Sequence, residues 1–215
     1  MTRLIAALAL TIAAAVAAPA LAAPEAAPDA LVRKSIDEVI AIIKADKAMQ
    51  GGNQQKLLQL VEEKVLPHFD FTRMTRLAVG RSWAQATDAQ KDALVREFRT
   101  LLVRTYSTSL SQYRNQTIDV KPAKLAAADK ETVVRTVVNQ PGGQPIPIDY
   151  GMERTDAGWK VYDVVVDGVS LVTTYRSSFN DQIQKSGVDG LVKTLADRNR
   201  SSEAPKAAVK VDLKQ

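Results

Sequence analysis

Apolar residues recur along this chain with two different periods, and the change of period divides it. Val32, Ile36, Val39, Ile40 and Ile43 repeat at helical spacing. They predict a helix capped by Asp29 and broken at Gly51-Gly52-Asn53. Leu57, Leu58, Val61 and Val65 predict a second helix that ends near Pro67. Asp70 is placed to cap a third, short helix running through Leu77 and stopped by Gly80. Thr87 and Gln90 form a Thr-x-x-Gln capping box. It opens the longest helix, whose stripe is Leu94, Phe98, Leu101, Leu102, Tyr106, Leu110 and Tyr113.

Beyond Tyr113 the period falls to two. Thr117 to Leu125 and Thr132 to Asn139 read as strands, with Asp129-Lys130 in their turn. Ile146, Ile148, Tyr150 and Met152 alternate with Pro147, Asp149, Gly151 and Glu153, the pattern of a half-buried strand. Asp156-Ala157-Gly158 turns into a last strand, Trp159 to Val166. Ser170 then caps a helix carrying Leu171, Val172, Tyr175, Phe179 and Ile183, which Gly187 ends. A closing helix follows, from about Asp189 to Asn199. Helices, a four-stranded antiparallel meander and helices again make an α+β fold, with the helices on one face of a curved sheet.

The ends of the chain read differently. Arg3 precedes an almost purely Ala, Leu and Ile run from Leu4 to Val16, and Pro19 precedes the small-x-small site Ala20-Leu21-Ala22. That is the pattern of a signal peptide, residues 1–22, removed after Ala22. The run is too short and too rich in alanine to hold a bilayer span well. Residues 23–28 form a Pro/Ala spacer and residues 29–200 a single domain. Residues 201–215 are polar and Ala/Lys-rich and read as a disordered tail. The signal predicts that the mature protein is exported and soluble.

The chain has no cysteine, which excludes disulfides, thiolate metal sites and a lipidated N-terminal cysteine. Its 29 Lys+Arg and 24 Asp+Glu give a net charge of +5, which becomes +4 once Arg3 leaves with the signal. A balance this modest calls for no nucleic-acid partner. It fits a solvated surface, or weak attraction to anionic membranes or acidic partners.

Catalytic chemistry is sparse. His68 is the only histidine, and no cluster has metal-ligand spacing, so no metal is expected. Ser170 lacks the Gly-x-Ser-x-Gly context of a nucleophile. In strict alternation Asp163 shares a face with Trp159, Val161 and Val165, while Tyr162, Val164 and Val166 occupy the other. A carboxylate in such surroundings is a candidate general base. A salt bridge to a helix arginine such as Arg73, Arg76 or Arg81 fits it better. Three readings follow from the residues: a carrier with an apolar cavity, a small enzyme using Asp163 or His68, and an envelope adaptor with a filled core. Periodicity does not separate a filled core from a cavity.

Three stretches carry a resemblance. They are HFDFTRMTRLAVGRSW (His68 to Trp83), the long helix from Gln90 to Tyr113 with its LLVRTY, and VVVDGVSLV (Val164 to Val172) followed by Tyr175-Arg176 and Phe179. In this order, over about Asp29 to Asn199, they resemble the MlaC family, also called toluene-tolerance Ttg2 proteins. The third stretch is the most specific. The resemblance implies a cystatin-like or nuclear-transport-factor-like fold around an apolar pocket, with no cofactor and no catalysis. It implies a monomeric periplasmic shuttle that binds phospholipid and maintains outer-membrane lipid asymmetry. Its partners would be an outer-membrane lipoprotein–porin complex and an inner-membrane ABC transporter, met through the transporter's lipid-binding ring protein. Such a carrier needs wide apolar walls, because each acyl methylene taken from water is worth about 0.8 kcal/mol. Taken by face, the wall residues expected are Phe69, Met74, Leu77, Phe98, Leu102, Tyr106, Leu110, Val134, Val138, Ile148, Tyr150, Val164, Val166, Leu171, Tyr175 and Phe179. Arg73, Arg76, Arg81 and Arg104 are the residues expected to meet an acidic partner.

Overall fold

The computed structural model describes residues 26–201, apart from 112, 114 and 127. The expected signal peptide, and the expected tail from residue 202, lie outside the described residues. Helix α1 (Pro28–Ala45) begins at Pro28, whose missing N–H costs nothing in a first turn. Asp29 therefore sits inside that turn and makes no side-chain capping bond, contrary to the expectation from sequence. Asp46 stops α1 early, because its carboxylate accepts from the amides of Ala48 and Met49 and starts the one-turn helix α2 (Lys47–Gln50). Helix α3 (Gln54–Leu60) is capped by Asn53 and widens into a π-helical segment, Val61–Val65. A 3₁₀ turn, Leu66–His68, follows. The second predicted helix is thus three kinds of helix in series.

Helix α4 (Phe71–Val79) is capped by Asp70, whose carboxylate accepts from the Arg73 amide at 2.7 Å. It stops at Gly80, whose φ of +65° suits a residue without Cβ. A 3₁₀ stretch, Gly80–Gln85, leads to α5 (Asp88–Ser111). The capping box is present: Thr87 N–H donates to Gln90 Oε1 at 2.9 Å and Gln90 N–H to Thr87 Oγ1 at 3.2 Å. The final helix α6 (Leu171–Arg200) is broken at Gly187, which has φ +70° and ψ −176°. The two predicted C-terminal helices are its two halves.

The sheet is an open antiparallel meander in the order β1 (Thr117–Val120), β2 (Glu131–Asn139), β3 (Ile146–Thr155), β4 (Gly158–Val166) and β5 (Val169–Ser170). β1 is shorter than expected and ends ahead of Pro122, which has no N–H to donate. The fifth strand was not anticipated. Asp167 and Gly168, at φ +49° and +79°, make a tight two-residue hairpin that pairs Val169 with Val166 and Ser170 with Val165.

A bulge corrects the reading of β4. Gly151 pairs with Asp163 but Met152 pairs with Val161, so Tyr162 is an extra residue. The extra residue changes the phase of alternation. Val161, Val164 and Val166 therefore share the inner surface, and Asp163 leaves the face of Trp159 and Val161. Tyr162 instead packs over Gly151, where an added Cβ would lie 3.3 Å from its ring.

Helices α4, α5 and α6 pack on one another around Phe98, which meets Tyr175 and Phe179 edge-on with centroids 5.0 and 5.1 Å away. A second apolar group joins the N-terminal half of α1 to the sheet through Val32, Val120, Val134, Met152, Trp159 and Val161. Helix α1 is also tied to β1, where the Arg33 guanidinium donates to the Val120 carbonyl at 2.6 Å.

Candidate functional site

Between these two packed regions the interior is not filled. A cavity of about 380 Å³, partly open to solvent, lies between the inner face of the sheet, α1, α5 and the π-helical segment. That volume falls in the range of small-molecule sites. The amphipathic stripe of α1 forms one wall with Leu31, Val32, Ile36, Val39, Ile40 and Ile43. The C-terminal half of α5 forms another with Leu102, Val103, Tyr106 and Leu110. The sheet supplies Ile118, Val138, Ile148, Tyr150, Met152, Val161, Val164 and Val166. The π turn and the 3₁₀ turn after it aim Val61, Val65 and Leu66 inward. Insertion of a residue into a helix at a functional cavity is a common use of the π geometry.

Eleven of the expected wall residues line this cavity: Phe69, Met74, Leu102, Tyr106, Leu110, Val138, Ile148, Tyr150, Val164, Val166 and Leu171. Five do not. Leu77, Phe98, Tyr175 and Phe179 belong to the helical core, and Val134 is fully buried between α1 and the sheet. Phe98 and Leu110 lie on one stripe of α5 with different neighbours. The N-terminal half of that stripe faces α6, and the C-terminal half faces the void.

Sequence reasoning left the stripe of α1 out of the expected wall and so missed one of the main walls. The stripe itself was visible, but nothing in its period says what it faces. The contribution of Val61, Val65 and Leu66 depends on the π turn, for which no signal was found.

The polar groups of the lining are few: Ser35, His68, Ser107, Gln116 and the tyrosines. The Ser35 hydroxyl donates to the Leu31 carbonyl within α1. Ser107 Oγ is buried without a hydrogen-bond partner among the described residues. Burial raises the Tyr150 phenol above its ordinary value, so it stays neutral. Burial, and then the charge of Lys160, hold the His68 imidazole below its ordinary value.

Two of the enzyme candidates, Asp163 and Ser170, are otherwise engaged. Asp163 makes none of the salt bridges expected of it. It accepts from the Ser170 hydroxyl at 2.6 Å, from its neighbour's amide at Val164 at 2.8 Å and from the Val172 amide at 3.2 Å. Ser170 in turn accepts from the Thr173 amide at 3.0 Å. The pair therefore closes the N-terminus of α6, where a carboxylate meets the positive end of the helix dipole. Among the described residues, no group of three His, Asp or Glu side chains is placed to hold a metal ion. None of their helices is long and apolar enough to cross a membrane.

The four arginines have separate fates. Arg73 pairs with Glu153 at 2.5 Å and with Glu131 at 2.7 Å, and stacks 3.8 Å from the Tyr162 ring centroid. Arg104 donates to the carbonyls of Arg198, Asn199 and Ser201 and so fastens the end of α6 to α5. Arg76 and Arg81 are exposed and have no ion-pair partner among the described residues.

Comparison with known proteins agrees with this geometry. A solved structure of a phospholipid-binding protein from Ralstonia solanacearum, in complex with a phospholipid, superposes with a TM-score of 0.75 at 45% identity. The match covers 81% of this chain and 97% of that one. The toluene tolerance protein ttg2D of Pseudomonas putida is 28% identical over 169 residues, 78% of each chain. The intermembrane phospholipid transport system binding protein MlaC of Haemophilus influenzae is 22% identical over 171 residues, 78% of this chain and 80% of its own. The family model for the MlaC protein matches residues 33–197, a span that takes in most of α1, the sheet and most of α6, and the chain belongs to the MlaC family.

Proposed function

We propose that this protein is a periplasmic phospholipid carrier. It takes the acyl chains of a diacyl lipid into the cavity and leaves the head group at its edge. It moves that lipid between an outer-membrane lipoprotein–porin complex and an inner-membrane ABC transporter, and so maintains outer-membrane lipid asymmetry. The observation that carries the reading is the cavity: an apolar space walled by α1, α5 and the sheet, in a chain whose helical core is closely packed elsewhere. The phospholipid bound to the Ralstonia solanacearum relative supports it.

The energetics fit a carrier. Ten methylenes removed from water are worth roughly 8 kcal/mol, enough to hold a lipid through an aqueous space without covalent chemistry. Arg76 and Arg81 remain available for an acidic partner surface, whereas Arg73 and Arg104 hold the fold together. The enzyme reading loses Asp163, one of its two candidate bases, because both of its oxygens serve Ser170 and backbone amides. The adaptor reading gives no account of the cavity.

The test is native mass spectrometry of the mature protein purified without detergent, followed by lipid extraction. A mass excess equal to one or two phospholipids is expected. A bare protein that stays bare after incubation with phospholipid vesicles would overturn the reading.

A further inference from the structure

One edge of the cavity carries charge. There, half-buried Leu31 and Ser35 of α1 and half-buried Leu66 and His68 of the 3₁₀ turn all line the void. Four charged side chains surround this seam. Lys64, in the π turn, and Glu38, on α1, pair with each other across it at 2.6 Å and cancel. Lys160 reaches in from β4, its ammonium donating to the Pro67 carbonyl at 2.6 Å, next to His68. Lys34 precedes Ser35 on α1, is exposed and has no ion-pair partner among the described residues. Two uncancelled cations therefore flank His68.

We infer that this seam holds the phosphate of the bound lipid, over His68 and between the ammonium groups of Lys34 and Lys160, and that it favours lipids of net negative charge. The inference rests on the carrier reading and adds to it an orientation and a substrate class. Lys160 keeps two N–H donors after its bond to Pro67, and Lys34 keeps three. The neutral imidazole supplies one more donor. A phosphodiester oxygen accepts from all of these. A zwitterionic head group would bring its own ammonium toward the two lysines and lose part of that attraction. The apolar walls start at the same edge, with Leu31, Leu66 and Phe69, so phosphate and acyl chains are served at one boundary. Lys34 and Lys160 are also the charges that help keep His68 neutral, against Glu38, which opposes them. An anion bound there would reverse that balance.

The experiment uses delipidated mature protein and vesicles holding equal amounts of phosphatidylglycerol and phosphatidylethanolamine. Native mass spectrometry should find phosphatidylglycerol enriched about fivefold, the scale of one or two partly exposed ion pairs. The Lys34→Glu/Lys160→Glu variant should bring the ratio to one or below, with phosphatidylglycerol losing more occupancy than phosphatidylethanolamine. Lys34→Glu alone, at an exposed helix position, should give part of that change and serves if the double variant misfolds. In NMR the lone histidine should titrate at higher pH once phosphatidylglycerol is loaded, and inorganic phosphate alone should not reproduce the shift. Equal uptake by the wild type, or enrichment unchanged in the variants, overturns the inference and leaves the carrier standing. A full shift with inorganic phosphate also overturns it, as an anion site unrelated to lipid. Uptake of neither lipid overturns the carrier reading and this inference with it.

Discussion

Phe98 and Val164 were both expected at the wall, and their surroundings predict opposite behaviour. Phe98 is fully buried against Tyr175 and Phe179, so Phe98→Ala should cost roughly 3–5 kcal/mol in urea unfolding. Its effect on lipid occupancy should come only through that loss. Val164 borders the void, so Val164→Trp should fill space with a much smaller stability cost and sharply lower occupancy by native mass spectrometry. Unchanged occupancy in Val164→Trp would remove β4 from the lipid wall. His68 makes a pH prediction for the delipidated protein. Its folded pKa lies below the ordinary value of 6.5, so the unfolded chain binds a proton first as pH falls. Stability should therefore decline as pH drops through about 6.5 toward the depressed folded pKa, and should show no such dependence above it. His68→Gln should flatten this part of the curve of urea midpoint against pH. A curve of the same shape in both proteins would count against the burial of a neutral imidazole.

At the scale of elements, the junction of β5 and α6 depends on a few polar atoms. Ser170 joins two roles, accepting from the Thr173 amide and donating to Asp163, which itself accepts from the Val172 amide. Ser170→Ala should cost about 1–2 kcal/mol, the upper part of the range for a lost N-cap, because a partly buried carboxylate also loses its donor. Chemical denaturation reads this directly, and a loss below a few tenths would mean that backbone amides alone hold the junction. The π turn acts differently. By widening the helix at Val61–Val65 it swings Val65 and Leu66 toward α1, and an uninterrupted α-helix would present another set of residues there.

At the scale of the whole molecule, α1 is a wall held at its two ends. Its N-terminal half and Arg33 meet the sheet, Val39 and Ile43 pack on Leu57 and Leu60 of α3, and Glu38 pairs with Lys64 of the π turn. Loading a two-chain lipid requires one wall to move, and a hinge of α1 opens the cavity without disturbing the helical core around Phe98. The absence of cysteine from the chain makes this testable with one introduced pair. Glu38→Cys/Lys64→Cys, bridged by a short thiol cross-linker, should slow exchange of bound lipid with vesicles by an order of magnitude or more. Cleaving the linker should restore the rate. Exchange at the uncrosslinked rate would place the moving wall elsewhere.

The element order and most helix ends were determined by local chemistry. Asp70, the Thr87/Gln90 box and Ser170 cap as expected because a cap is satisfied within three residues of chain. The α+β class followed from the change of period at Tyr113, which any packing of these segments must respect. Tertiary structure decided the rest. The bulge at Tyr162 exists only in the pairing of β4 with β3, so strict alternation put Asp163 on the wrong face. The cavity belongs to the same class of facts. Apolar stripes state that a helix face leaves water, but not whether it meets a neighbouring side chain or an empty space. On α5 one stripe does both, Phe98 against α6 and Leu110 against the void, because α4 and α6 cover the stripe from Leu94 to Leu102 and leave Leu110 to the cavity.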